Sequence, residues 1–116
     1  MIRIVSTISF MKEAVGGIGI LPFNDVYRKG AEIGYWIGEP YWNKGIATDA
    51  VKKLVEHVFA YTELIRISAC VFERNKASMH VLKKAGFQQE GIHKNAVIKN
   101  DEIMDEYLFA IVKPTI

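Results

Sequence analysis

The sequence predicts an α/β (α+β) fold, a mixed and mostly antiparallel sheet with two helices in the order β-β-β-α-β-α-β-β. Three observations predict it. Branched and aromatic residues recur near both ends of the chain in the alternation expected of half-buried strands. Ala47, Ala50, Val51, Leu54, Val55, Val58 and Phe59 fall at i, i+3, i+4, i+7, i+8, i+11 and i+12, which is one buried helical face. That helix stands between two strand-like runs, an arrangement that favours a parallel pair within one sheet.

Taken in order, Ile2, Ile4, Ile8 and Phe10 approximate a period of two, the turn-like Met11-Lys12-Glu13 follows, and Val15 to Leu21 returns as a second strand. Pro22 to Gly30 is a polar loop. Ile33 to Ile37 is aromatic and branched, as a strand requires, and it stops at Gly38-Glu39-Pro40. The long helix runs from Ala47. Ile65, Ile67, Ala69 and Val71 then alternate with Arg66, Ser68, Cys70 and Phe72 in a further strand. Asn75 caps a short helix that turns Met79, Leu82 and Ala85 inward and is closed by Gly86. Two strands finish the chain, Phe87 to Ile98 and Ile103 to Val112, joined by the turn Lys99-Asn100-Asp101-Glu102.

Composition bounds the function. With 116 residues, half of them hydrophobic, residues 1–116 form one domain with enough apolar side chains for a core. The 15 basic and 13 acidic residues are interspersed and leave a net charge of +2, which gives no argument for nucleic acid. The one cysteine, Cys70, excludes an internal disulfide and a cysteine-cluster metal site, so no metal is expected. It reads as a core cysteine, because nothing in the sequence lowers its pKa for nucleophilic work. With no apolar run approaching a membrane span, the cytoplasm is the expected compartment.

Between the third strand and the long helix, Asn43-Lys44-Gly45-Ile46-Ala47 is small, flexible and carries one cation. Its backbone N–H groups can point outward at the positive end of the helix dipole, which makes an anion site suited to a phosphate or pyrophosphate.

Three blocks, Glu32 to Ala50, Asn75-Lys76-Ala77-Ser78 and Lys83-Lys84-Ala85-Gly86-Phe87, occur in an order that resembles the GNAT superfamily of N-acetyltransferases. The resemblance is to the branch with the ribosomal-protein alanine and the spermidine acetyltransferases. In that superfamily a basic or amide residue, two variable residues, Gly, one variable residue, then Gly or Ala wraps the pyrophosphate of acetyl-CoA. Gly45-Ile46-Ala47 fits the second half of this pattern, while Trp42 stands where Arg or Gln is usual. The resemblance implies acetyl-CoA as cosubstrate, bound by Ile37, Trp42, Asn43, Lys44, Gly45, Ile46, Ala47, Thr48 and Asn75. It also implies transfer of the acetyl group directly to an amine. The acceptor is a protein N-terminus, a polyamine or a small metabolite.

Such a transfer needs a base for the ammonium proton, donors for the developing oxyanion and a proton for the departing thiolate. Glu32, where the family often has a carboxylate, is the candidate base, with His93 and Asp105 as rivals; it also reads as a solvated strand-end glutamate. Leu82 occupies the position where many relatives carry a tyrosine, which leaves Ser78, the candidate thiolate protonator, or water to serve. Asn75 and Ser78 also read as a plain helix cap and a polar first-turn residue. Tyr35, Trp36, Tyr41 and Trp42 form an aromatic cluster that lines a pocket or packs a core. Lys83 and Lys84 meet the CoA 3′-phosphate or, as the favoured reading, solvate a helix face.

Members of the superfamily carry one more strand and two more helices before the region matched here. The sequence opens instead on Ile2 and Ile4 of a strand, so a homodimer is expected to cover the exposed sheet. Two other functions stay open. One is an acyl-CoA-binding module without turnover; the other is a phosphate-binding α/β domain without acyl chemistry.

Overall fold

Alternating residues at the two ends of the chain become hairpins of a single sheet. The computed structural model describes residues 4–10 and 13–114. The expected strand position of Ile2 and the turn at Met11-Lys12 lie outside these described residues. Strands β1 (Ile4–Phe10), β2 (Glu13–Pro22), β3 (Gly30–Ile37), β4 (Arg66–Phe72), β5 (Gln88–Lys99) and β6 (Glu102–Val112) are arranged in the order β1-β2-β3-β4-β6-β5. Neighbours are antiparallel except β3 and β4, which are parallel and joined by helix α1 (Ile46–Tyr61). A second helix, α2 (Lys76–Lys84), joins β4 to β5. The expected element order holds throughout.

Local chemistry sets the boundaries. At the start of α2 the Asn75 side chain accepts the Ser78 N–H at 3.1 Å. At its end Phe87 N–H reaches the Leu82 carbonyl at 2.9 Å and Gly86 N–H the Lys83 carbonyl at 3.1 Å, a Schellman closure with Gly86 at φ 100°. Asn100 and Asp101, at φ 53° and 60°, supply the two left-handed residues of a tight hairpin turn between β5 and β6. The loop after β2 is shorter than expected, because β3 begins at Gly30 rather than Ile33.

Both helices lie on one face of the sheet. Val51, Leu54, Val55 and Val58 of α1 and Met79 and Leu82 of α2 are buried against Ile18, Ile20, Ile33, Ile67, Val71 and Phe109. Phe109 is fully buried, and its removal to alanine would cost about 3–5 kcal/mol by the usual core scale. Cys70 is not part of this core. Ile67, Ala69 and Val71 take the helix side of β4, so strict alternation turns Cys70 to the opposite face, where it is exposed.

The sheet splits at its parallel pair. The β3–β4 ladder pairs Gly30 with Arg66, Ala31 with Ile67 and Glu32 with Ser68, then stops, although β3 continues to Ile37 and β4 to Phe72. The two strands part beyond Glu32 and Ser68.

Candidate active site

The parted end of β3 is held in place by the chain itself. Gly38 N–H donates to the Val15 carbonyl at 2.8 Å, and the short helical turn Glu39–Tyr41 follows. The Trp42 indole N–H then donates back to the Ile37 carbonyl at 2.7 Å. That hydrogen bond commits the one donor of the Trp42 side chain, so Trp42 lines the cleft without a free side-chain donor.

Beyond Trp42 the backbone turns sharply, with Asn43 at φ 61° and Gly45 at φ 76°. Gly45 is the N-cap of α1, no side chain caps it, and the first helical hydrogen bond runs from Asp49 N–H to the Gly45 carbonyl at 3.1 Å. The N–H groups of the first turn, Ile46 to Thr48, therefore have no acceptor within the helix and stand at its positive end. A Cβ on Gly45 would meet no atom within 4 Å, so it is the left-handed backbone, and not crowding, that calls for glycine.

A cleft of about 870 Å³ opens between this turn, the end of β3 and helix α2. It brings together every expected cofactor residue: Ile37, Trp42 and Asn43 to Thr48 on one side, Asn75 on the other. Ser78 lines it as well. Because the Asn75 side-chain oxygen is engaged by Ser78 N–H, the Asn75 amide NH₂ is the part left to face a ligand.

The Tyr35 hydroxyl lies 2.6 Å from Ser78 Oγ and bridges β3 to α2. Burial pushes its phenol up and the Ser78 hydrogen bond pulls it back in part, leaving it above the ordinary tyrosine value. The sequence places Tyr35 among the aromatics but gives no sign of this partner. Lys52 and Lys84 also line the cleft, joining Lys44. Lys84 is exposed, and its spacing from Ala77 and Val81, two turns and one turn back, puts it on their cleft-facing side.

Glu32 does not line the cleft. It lies exposed on the sheet face away from the helices, on the side of the strands where Cys70 also emerges. Burial pushes the Cys70 thiol up to about 11, with the charges of Glu106 and then Glu32 adding to the effect. His93 Nδ1 lies 3.1 Å from Glu106 Oε1 on this same face.

Asp105 belongs to neither group. Its carboxylate accepts Asn95 N–H at 2.9 Å and pairs with Lys94 at 3.3 Å, where the β5–β6 register shifts between His93 and Val97. The Asn95 N–H above all holds this carboxyl below the ordinary aspartate value. A carboxylate spent on bracing a bulge is a poor base, which removes Asp105 from the rivals to Glu32.

The family model described as an acetyltransferase (GNAT) domain matches residues 4–88. An uncharacterized N-acetyltransferase of Bacillus subtilis, YoaA, is 39% identical over 103 residues, which is 89% of this chain and 58% of that protein. The structure of Mycobacterium smegmatis RimJ in complex with CoA-disulfide superposes with a TM-score of 0.85 at 32% identity, covering 95% of this chain and 53% of that one. The microcin self-immunity acetyltransferase MccE, solved with acetyl-CoA and AMP, gives 0.81 at 28% identity, over 95% and 61%. The chain spans about half the length of the curated relatives it matches.

Proposed function

The chain belongs to the GNAT acetyltransferase family, and on that basis we propose that it binds acetyl-CoA in the cleft and transfers the acetyl group directly to an amine, without a covalent enzyme intermediate. The observation that carries this reading is the uncapped start of α1, which opens through Gly45 onto a cleft leading to Asn75 and Ser78. Free N–H groups at a helix N-terminus suit a diphosphate. Lys44, Lys52 and Lys84 line the same cleft and offset phosphate charge.

Acetyl-CoA supplies the activated thioester. The chain then has three tasks. The first-turn amides and the Asn75 NH₂ hold and orient the cosubstrate. Glu32 takes the ammonium proton from the acceptor on the open face, and on this reading the acceptor reaches the cleft through the parting of β3 from β4, which begins beside Glu32. Ser78, with Tyr35 behind it, returns a proton to the thiolate. The acceptor is a protein N-terminus, a polyamine or a small metabolite.

A binding module without turnover is the second reading, and one observation favours it: Glu32 stands outside the cleft that holds Ser78. Incubation with acetyl-CoA and a panel of amines, following release of free CoA, decides between them. Amine-dependent release supports transfer; CoA binding without release supports the module. Calorimetry with CoA against ATP tests the cofactor itself, since equal affinity for both would reduce the cleft to a general phosphate site.

The reading places the protein in the cytoplasm, which suits an exposed free thiol. It also takes the protein to be a homodimer. Ile98 and Ile103 face each other across the β5–β6 hairpin and are 68% and 63% exposed, an apolar pair that a second copy would cover.

A further inference from the structure

We propose that Cys70, His93 and Glu106 form a binding site for a divalent cation of the zinc class, on the sheet face opposite α1 and α2. The three side chains come from adjacent strands. Glu106 on the central β6 faces His93 of β5 directly, and Cys70 of β4 lies one step along the same face from Phe72, the β4 partner of Glu106. The Cys70 sulfur, a His93 ring nitrogen and a Glu106 oxygen all lie within 4.8 Å of one another.

Zinc holds thiolate, imidazole and carboxylate at about 2.0–2.3 Å in tetrahedral geometry, so its ligand atoms stand roughly 3.3–3.8 Å apart. The cluster must close by only about 1–1.5 Å, which rotation of the exposed Cys70 and His93 side chains toward the half-buried Glu106 on a fixed ladder supplies. The donor set decides the ion. Sulfur and nitrogen beside one carboxylate select zinc or cobalt and disfavour magnesium and calcium, which prefer all-oxygen shells. Charge agrees with this: a thiolate and a carboxylate neutralise a dication, and Glu32 lies near enough for its charge to be felt at Cys70.

His93 Nδ1 lies at hydrogen-bond distance from Glu106 Oε1, 3.1 Å, and the Cys70 sulfur stands within 4.8 Å of both. On binding, the thiol proton leaves to solvent, the imidazole keeps its proton on the nitrogen that does not bind, and water completes the fourth position. The site stands on its own donors, so its test involves neither CoA nor an acceptor. If Glu32 is the base, a cation two strands away on the same face would also slow acetyl transfer.

Titration of the full chain with Co²⁺ tests the site. Cobalt bound by sulfur gives a thiolate-to-metal charge-transfer band in the near ultraviolet, and the chain has one cysteine to produce it. The expected result is that band at one equivalent of Co²⁺, displaced by Zn²⁺. Cys70→Ala should abolish it, and His93→Ala or Glu106→Gln should weaken binding at least about tenfold. Uptake of Co²⁺ without the band, no uptake at all, or a Cys70→Ala protein that binds as the original does would overturn the proposal. Because the band is read in the unsubstituted protein, the test remains decisive even where a variant fails to fold.

Discussion

The Tyr35 hydroxyl lies 2.6 Å from Ser78 Oγ and 3.4 Å from the Ser78 carbonyl oxygen, so one side chain ties the parted end of β3 to the first turn of α2. A phenol held above its ordinary value stays protonated at neutral pH, and it can therefore restore to Ser78 any proton that Ser78 gives up.

If these two hydroxyls act as one proton source, Tyr35→Phe and Ser78→Ala should each lower turnover by about 10²- to 10⁴-fold, and the double variant should be no worse than the poorer single. CoA affinity should stay within about threefold, because neither change touches the helix amides. Single-turnover kinetics on the three proteins checks this. Losses that multiply would mean that the hydroxyls act separately.

At the anion site, charge and backbone strain can be separated by two substitutions. Gly45→Ala should retain CoA binding and lose about 1–2 kcal/mol of stability to the left-handed backbone alone, since the space beside Gly45 is open. Gly45→Glu adds a negative charge facing a diphosphate and should abolish binding. Calorimetry compares the two; a folded Gly45→Glu protein with unchanged CoA affinity would refute the site.

The base can be assigned by a pair of substitutions. Glu32→Gln should lower turnover about 10²- to 10⁴-fold and leave CoA binding unchanged, because it removes a proton acceptor on the open face and nothing from the cleft. Should His93→Ala show that loss while Glu32→Gln turns over normally, the role passes to His93.

Asp105 predicts a pH dependence of stability. Its carboxyl is held low in the folded protein, chiefly by Asn95 N–H, so the stabilisation is fully present above the unfolded value of about 3.9 and is lost as pH falls through the lower folded value. Asp105→Asn should therefore flatten the acid limb of the stability curve below about pH 4. Urea midpoints measured against pH provide the comparison, and superimposable curves would show that the carboxylate contributes nothing there.

Association is tested by light scattering over a dilution series. The expected mass is twice the 13.1 kDa of the chain. Replacing the exposed Ile98 and Ile103 by lysine should return it to one copy, since like charges facing each other across the hairpin and its partner cannot be buried. A single-copy mass for the unsubstituted protein at every micromolar concentration would rule the dimer out.

What was legible in the sequence depends on neighbours within a turn or two. The apolar face of α1, the Asn75 cap, the Gly86 closure, the Asn100-Asp101 turn and the glycine at the head of α1 all follow from spacings of two to four residues, where backbone sterics and local hydrogen bonds decide. The same short-range pattern marked Asn43 to Ala47 as an anion site, whereas it was the family resemblance that grouped Asn43 to Thr48 with Asn75. The remainder came from packing between elements, because strand register couples residues far apart along the chain. Tyr35 and Ser78 are 43 positions apart, and nothing local to either one names the other. Nor does alternation along β4 say which face the helices will cover: Ile67, Ala69 and Val71 form one set, Ser68, Cys70 and Phe72 another, and both are apolar enough to be core. Once α1 and α2 bury the first set, Cys70 is committed to the open face beside His93 and Glu106, and the point where β3 leaves β4 fixes Glu32 there as well.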